Sequence, residues 1–557
     1  MARLRRPGCG VGEAWVVQGR SQDQRDFLDV ESVAGHLLPA GSVFAFLAEH
    51  RHRLFPEVLF DDLFPSGRGR PSVPPEVMAS VIVLQTLHGL SDRETAEAVM
   101  FDLRWKAACG IAVDAAAFHP STLTYWRRRL ASSDRPHRIF AVVREVIVES
   151  GALRGKHRRA LDSTVLDDAV ARQDTVTQLI AAVRRVGRDV DGAAPVILRV
   201  CSFDYTQTGK PQIAWDDPVA RDELVSVLVV DTLALLAELD VDAITATGGK
   251  AAEAVAILAL VAGQDVEPAE GSDGTDGRWR IARKVASDRM ISFVDPETRH
   301  TRKTPERKQD GFKAHLAVEP DTGLATAAAL TKAVGPSSSD ATVGSQLLDA
   351  DPTIPPPATT AAADQAADGE AADGEAAERT EVLGDSAYGA GELLDKIKQK
   401  GWDATIKPHP LRPPVDGGFT LDDFSYDDQA GTLTCPNKIT RRLSKTRTVT
   451  FGAACRGCPL REQCTTAVTG RTVKLSKFEQ VRRDHREHAK RPEFQQAYRD
   501  KRPLVERSIA WLTRGNRRLR YRGVIKNNAW LHHRVAGLNL RRLLTLGLRY
   551  DNGWQIG

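Results

Sequence analysis

The chain has 557 residues, of which 42% are hydrophobic and 27% are charged, and its formal net charge is +4. This length predicts two or three domains, and this composition is typical of a soluble globular protein. No apolar run reaches the roughly 18 residues of a membrane span, and the basic N-terminus lacks the apolar stretch of a secretory signal. A membrane-embedded or exported protein is therefore not expected, and we predict a cytoplasmic one.

Residues 1–135 are predicted to form a helical domain. Residues 32–50 have an apolar side of helical spacing, and three short helices are predicted over residues 74–130. The second of these begins with the capping-box pair Ser91 and Glu94. The third is basic and carries four candidate DNA contacts: Tyr125, Arg127, Arg128 and Arg129. Three such helices favour a helix-turn-helix-like DNA-binding unit. A helical dimerisation or packing module with a basic outer face is the alternative.

A strand that ends in a carboxylate follows this domain. A helix over residues 136–156 leads to a run that ends at Asp162, and the end of a strand is rigid enough to hold a catalytic acid. Asp167 and Asp168 are close competitors. Asp162 is preferred because it directly follows an apolar pair.

The next part of the chain alternates between helical and strand signals. Residues 165–285 are predicted to be an α-helical insertion, because their two strongest helices are apolar nearly all round and must be buried. Strand signals resume at residues 290–300 and then flank a turn signal at residues 320–323, which predicts a hairpin. A crossover helix is predicted over residues 337–348, ahead of a strand that ends at Asp385.

Two further segments interrupt this pattern. Residues 351–380 are rich in Ala, Asp, Glu and Pro, and they bury too little apolar surface to offset their ordering entropy, so we predict a disordered linker. Residues 407–485 are predicted to be a Cys-rich insertion with the spacing C-x19-C-x2-C-x5-C. Its cysteines are Cys435, Cys455, Cys458 and Cys464. Four thiolates suit a tetrahedral structural Zn²⁺; an iron–sulfur cluster and unliganded reduced cysteines are the alternatives.

The C-terminal part carries a third candidate acid in a basic context. Glu506 lies on a predicted helix, and fourteen Lys and Arg stand against two acidic residues between Arg499 and Arg549. A positive face of this extent suits a phosphate backbone, and a solvated basic helix is the alternative. With Asp162 and Asp385, Glu506 would complete a set of hard oxygen ligands, which favour Mg²⁺ or Mn²⁺ over zinc.

Five stretches of the chain carry a family resemblance. They are FDDLFPSGRGRPSVPPEVMASVIVLQTLHGLSDRETAEAV, LDSTVLDDAVARQDTVTQL, LGDSAYG, CRGCPLREQC and YRDKRPLVERSIAWL. In this order they resemble the DDE transposases of bacterial insertion sequences, in the branch whose N-terminal helical domain precedes a ribonuclease H-like core. The resemblance implies a multidomain α+β and α/β protein, with the mixed-sheet catalytic domain over residues 136–557 and both insertions within it.

The family also shows a signature of Tyr, Arg, Glu and Lys around its last acid. Arg502 and Glu506 keep the spacing of that signature, but Tyr498 is one residue too early, and Thr513 stands where the Lys would be. The resemblance and the basic context imply five DNA contacts: Tyr498, Arg502, Arg514, Arg517 and Arg518. A simple ion pair with Glu506 is the alternative for Arg502.

The predicted function is transposition. The resemblance implies that the protein binds the ends of its element on double-stranded DNA as a homodimer, in association with the nucleoid. Asp162, Asp385 and Glu506 would hold two Mg²⁺ (or Mn²⁺) ions for hydrolysis at the 3′ ends and for attack of the freed 3′-OH on target DNA. A nuclease without strand transfer and a catalytically inactive, transposase-derived repressor are the alternatives.

Overall fold

The computed structural model describes residues 16–21, 28–284, 286, 288–302, 308–354 and 379–557. Almost all of the predicted linker lies outside these ranges. Within them the protein is a mixed α/β molecule, with helices packed on both faces of a mixed sheet. None of the helices within these ranges combines the length and the apolar character that a membrane span requires.

The helices are named in chain order. They are α1 (Val30–Ala34), α2 (Val43–Leu54), α3 (Pro75–His88), α4 (Asp92–Phe101), α5 (Leu103–Cys109), α6 (Ser121–Ala131), α7 (Arg138–Glu149), α8 (Thr175–Asp189), α9 (Ala193–Val200), α10 (Pro218–Glu238), α11 (Val241–Thr247), α12 (Gly249–Gln264), α13 (Asp340–Asp349), α14 (Gly391–Gln399), α15 (Arg461–Cys464), α16 (Glu479–Ala489), α17 (Pro492–Thr513) and α18 (Val524–Thr545).

The strands are named in the same way. They are β1 (Val16–Val17), β2 (Arg70–Pro71), β3 (Arg158–Asp167), β4 (Val266–Pro268), β5 (Trp279–Ile281), β6 (Arg299–Arg302), β7 (Lys308–Glu319), β8 (Leu324–Lys332), β9 (Glu381–Gly384), β10 (Asp403–Ile406), β11 (Ser425–Asp427), β12 (Thr432–Thr434), β13 (Thr440–Arg442), β14 (Thr448–Thr450), β15 (Thr472–Lys474), β16 (Leu548–Tyr550) and β17 (Trp554–Ile556).

The three helices predicted over residues 74–130 form, and the capping box of Ser91 and Glu94 has both of its hydrogen bonds. The helical pattern over residues 32–50 is instead divided between α1 and α2. Pro39 has no N–H to donate, and Gly41 adopts a φ of +69°. A continuous helix is therefore broken between them.

A six-stranded sheet lies at the centre of the fold, with the order β10-β9-β3-β7-β6 and with β8 also paired to β7. β3, β7 and β8 are antiparallel neighbours, whereas β9 and β10 continue the sheet in parallel with β3. The predicted hairpin joins β7 to β8, and Gly323 supplies the positive φ of 72° in its turn.

The prediction of a strand over residues 290–300 is wrong for most of that range, because β6 begins only at Arg299. Two features of the sequence prevent an extended ladder there. Pro296 has no N–H to donate to a neighbouring strand, and the Asp295 carboxylate accepts a hydrogen bond from the Glu297 N–H at 3.2 Å, which closes a local turn.

Helix α18 joins the N-terminal helices to the sheet. Its residues Trp530 and Leu540 belong to one buried cluster with Val83 of α3 and Leu316 of β7. The buried guanidinium of Arg534 donates hydrogen bonds to carbonyls of both α3 and α17. The N-terminal helices and one face of the sheet therefore share a hydrophobic core, while α13 and α14 cover the opposite face.

The helices α8 to α12 form a unit with its own hydrophobic core. The chain enters and leaves this unit at a narrow neck. There the Gln173 N–H donates to the Ile291 carbonyl at 2.9 Å, and the Phe293 N–H donates to the Gln173 side chain at 2.6 Å. The short strands β11 to β15 form another separate cluster around Phe424 and Leu433.

Candidate active site

Two of the predicted acids lie beside each other because they follow equivalent positions of parallel strands. Ala160 of β3 pairs in register with Leu383 of β9, and Asp162 and Asp385 each come two residues later. Neighbouring strands are about 4.8 Å apart, and residues two apart point to the same face. The register therefore brings both carboxylates to one place on the sheet.

Helix α17 brings the third acid to the same place. Val505, which is 4% exposed, forms a small apolar cluster with Ala160 and Leu383. Glu506 follows Val505 on the helix, and its side chain is 62% exposed. Each member of this cluster precedes one of the three acids by one or two residues, so a single packing contact positions all three.

The charges of the three acids act on one another. Burial raises the pKa of Asp162 to about 6, the Arg502 guanidinium opposes the rise, and the negative charges of Asp385 and Glu506 add to it. Such mutual effects require short separations. A raised pKa among gathered acids is typical of a functional site.

Arg502 is the cation in this group of acids. It lies one helical turn before Glu506, and its Nε donates to Glu506 Oε1 at 3.0 Å. Burial lowers the pKa of Arg502, but the surrounding acids and Tyr498 together raise it above the ordinary value. Burial also raises the pKa of Tyr498, against the effect of Arg502. The buried Nη1 of Arg502 has no hydrogen-bond partner among the described residues.

The chemistry of the three carboxylates fits a hard divalent cation. Across the described ranges, however, no group of three or more His, Cys, Asp or Glu side chains is placed to hold an ion. Glu506 is instead hydrogen-bonded to Arg502. To bind a cation together with Asp162 and Asp385, Glu506 therefore has to release its hydrogen bond from Arg502.

A tether that the sequence did not predict fixes α17 to β9. Lys501 Nζ lies 2.7 Å from Glu381 Oε1, and the Thr405 hydroxyl also donates to this carboxylate. Both charged side chains are partly buried. The sequence contained one signal for this contact, because Lys501 directly precedes the predicted site residue Arg502. Its partner Glu381 can be identified only once α17 is known to pack on β9.

The competing acids of β3 make local structural contacts. The buried Asp168 accepts hydrogen bonds from the Thr298 hydroxyl and the Val170 N–H. Asp167 accepts one from Gln309 at 3.2 Å. Five residues of strand separate Asp167 from Asp162, a distance of about 17 Å.

The predicted DNA contacts of α6 have different surroundings. Arg127 is paired with Asp92, with Nη2 2.6 Å from Oδ2, and its side chain is 16% exposed. The Arg129 guanidinium donates to the Leu63 carbonyl and lies over the ring of Tyr125. Arg128 is exposed, and within the described ranges its side chain makes no hydrogen bond or ion pair.

The residues predicted to contact DNA in the segment between α17 and α18 lie along β3, the strand that carries Asp162. The Asp167 N–H donates to the Arg517 carbonyl at 3.0 Å, and Arg518 Nε donates to the Asp168 carbonyl at 3.1 Å. Arg514 and Arg518 are exposed, and Arg517 is half-buried. Tyr498 and Arg502, by contrast, lie among the acids themselves.

The four cysteines of the segment 407–485 line one small pocket, together with Phe424 and Arg471. Burial raises the pKa of Cys464, Arg471 opposes the rise, and the other three thiols add to it. All four are free thiols. Four thiols gathered in one pocket suit a soft metal ion, although they too are not placed at binding distance.

Comparison with protein families gives two matches. Residues 35–129 match a family described as a transposase domain, DUF772, and residues 429–544 match a family described as a transposase DDE domain. The first match covers α2 to α5 and most of α6, and the second includes Glu506. No curated protein and no solved structure matches the chain. The two matches together support an insertion-sequence DDE transposase, with similarity to the DUF772 domain in the N-terminal part and to the DDE domain in the C-terminal part.

Proposed function

We propose that the protein binds the ends of an insertion sequence, cuts DNA there and joins the freed ends to a target. The observation that carries this proposal is the convergence of Asp162, Asp385 and Glu506 through the cluster of Ala160, Leu383 and Val505. These acids come from three distant parts of the chain, and the fold gathers them beside a basic segment.

The sheet order supports a ribonuclease H-like core for residues 136–557. Without β6, the order is β8-β7-β3-β9-β10, with three antiparallel strands followed by two parallel ones. The first acid lies on the first strand of this order in sequence, and the second acid directly follows the fourth. The helical unit α8–α12 and the Cys-rich segment are then insertions between its elements.

Asp162, Asp385 and Glu506 would hold two Mg²⁺ or Mn²⁺ ions, which, when bound, activate a hydroxyl nucleophile and stabilise the leaving oxygen of a phosphodiester. Arg502 is placed to hold a phosphate oxygen of the DNA through its free Nη1, and Tyr498 borders the same site. Glu506 is mounted on a helix that the Lys501–Glu381 tether fixes to the sheet, so its position is set before DNA binds. No covalent protein intermediate is required.

The further contacts with double-stranded DNA are proposed for the remaining predicted residues, with Arg128, Arg514 and Arg518 as the exposed ones. Two ends must be cut together in transposition, and we therefore propose a homodimer on DNA. The four cysteines would hold a structural Zn²⁺ away from the acids.

The test is cleavage and joining of a labelled element-end duplex with Mg²⁺. Asp162→Asn, Asp385→Asn and Glu506→Gln are each expected to bind the duplex with wild-type affinity and to lose both reactions. Asp500→Asn, an exposed acid on the same helix, is the matched control and should retain both. Normal cleavage by any of the three variants would show that its acid is misassigned, and cleavage without joined product by the wild type would exclude strand transfer.

A further inference from the structure

A groove between the two family-matched parts of the chain contains Arg128, one of the DNA contacts proposed above, and adds residues that are not among those contacts. It has a volume of about 560 Å³, is open to solvent, and lies between α6 and the start of α18. Both walls are rigid, because α6 is anchored in the core by Trp126 and Leu130, and α18 by Trp530. Its floor contains the ring of Tyr521, over which Arg127 lies at 5.1 Å.

The walls of this groove carry cations that the protein leaves unpaired. Arg128, Arg522 and Lys526 all line it and are exposed. Within the described ranges the side chains of these three make no hydrogen bond or ion pair. Arg127 also lines the groove, but Asp92 neutralises it at 2.6 Å. Ile525, between Arg522 and Lys526 in sequence, is 73% exposed.

One unneutralised acid faces these cations. Glu297 lines the groove, and its Oε2 accepts a hydrogen bond from the Val524 N–H at 2.8 Å, at the start of α18. A carboxylate at a helix N-terminus occupies a position that also suits a phosphate oxygen. Three cations against one acid leave the groove positive, so a polyanion is complementary to it.

The groove has a fixed position relative to the acids. The Leu519 N–H donates to the Asp167 carbonyl at 2.8 Å, and Tyr521 follows two residues later. Asp167 is about 17 Å along β3 from Asp162, which corresponds to about five base pairs of duplex at 3.4 Å each. The segment that leads into the groove is therefore fixed to the strand that carries Asp162.

We propose that this groove binds the phosphate backbone of the DNA duplex whose cleavage site lies at Asp162, Asp385 and Glu506. The inference rests on the proposed function. Because α6 supplies Arg128, the segment before α18 supplies Arg522 and α18 supplies Lys526, the groove contacts DNA with both family-matched parts at once. Ile525 packs on the sugar edges between the phosphates.

The test uses the full chain and a fluorescent 40-base-pair duplex of arbitrary sequence, with affinity measured by anisotropy across a salt series. The double variant Arg522→Ala/Lys526→Ala should lower the slope of log affinity against log salt by about 1.8, and affinity by about 60-fold at 0.1 M salt, if each cation contacts one phosphate. The control Arg221→Ala/Lys250→Ala removes the same charge from exposed positions on the helical insertion and should leave the slope unchanged.

Glu297→Gln gives the opposite prediction, because it keeps an acceptor for the Val524 N–H but removes the negative charge. Affinity should rise by a factor of about 2–5, as expected for one repulsive charge near the surface. A wild-type slope in the groove double variant, or weaker binding by Glu297→Gln, would overturn the groove assignment alone. Absence of salt-dependent binding by the wild type would instead overturn the proposed function.

Discussion

At the scale of single residues, the acids of the site are held at a cost to stability. Asp162 is partly buried, and its ionised form is opposed by Asp385 and Glu506 and favoured by Arg502 and by the Ser163 N–H. The same property that makes the site attractive to a cation makes the cation-free protein less stable.

This cost predicts a pH-dependent effect of Asp162→Asn. The folded pKa of about 6 is above the ordinary 3.8, so the folded state binds more protons than the unfolded state between these values. Stability therefore falls as pH rises through this window, by up to about 3 kcal/mol for a single carboxyl. Without added divalent cations, Asp162→Asn should raise the unfolding temperature by a few degrees at pH 8 and not at pH 3.5.

Calorimetry at the two pH values measures this difference, with Asp500→Asn as the control for loss of a surface charge. An equal shift at both pH values would show that the effect of Asp162→Asn is one of packing and not of ionisation.

At the scale of elements, local patterns were predictable and pairings were not. The capping box of α4, the turn at Gly323 and the strand before Asp385 follow from short stretches of sequence. The strand that was predicted to end at Asp162 instead continues to Asp167. The pairing of Arg127 with Asp92, and that of Lys501 with Glu381, join residues 35 and 120 positions apart. The basic sequence of α6 therefore predicted cations that are free to contact DNA. In the structure, Arg127 instead pairs with Asp92, and Arg129 donates to the Leu63 carbonyl.

The Cys-rich segment predicts a bound metal that can be measured without any activity assay. Purified protein should contain about one zinc per chain by elemental analysis, because four thiols share one pocket. Cys455→Ser/Cys458→Ser should lose this zinc and become sensitive to proteolysis within residues 407–485, while Cys109→Ser should retain it. Iron in place of zinc would identify a cluster, and no metal would leave four reduced thiols.

We predict that the helical insertion can be deleted without unfolding the rest of the protein. Its hydrophobic core is separate, and the hydrogen bond between Gln173 and Ile291 closes its neck. Replacing residues 175–289 with a short Gly-Ser linker should therefore leave the sheet folded, with secondary structure in the remainder retained by circular dichroism. Replacement of α18 residues Trp530 and Leu540 with Asp is the contrasting change and should unfold the chain. Aggregation of the deleted protein would show that the insertion supports the sheet.

At the scale of the whole molecule, a net charge of +4 conceals a strongly uneven distribution. Of the fourteen cations between Arg499 and Arg549, Lys501 and Arg502 are the two that pair with carboxylates in the described part of the chain. Arg499 donates to the Gln496 side chain, and the others either donate to backbone carbonyls or remain available to a phosphate backbone.

This distribution predicts steep salt dependence of DNA binding. With about 6–10 phosphates contacted, affinity should fall by roughly 10³–10⁵ between 50 and 200 mM salt. Anisotropy with a duplex in a chloride series measures it, and a flat response would contradict a DNA-binding role for the basic segment.

The core shared through α18 also has a consequence for synthesis on the ribosome. Helices α3 and α6 are complete once residue 131 has been translated, yet the side chains that cover them from α18 come roughly 400 residues later, or about 20–80 s at ordinary elongation rates. During that interval their apolar surface is open to chaperones or to a neighbouring nascent chain. The N-terminal helices thus reach their final packing only after almost the entire chain has emerged.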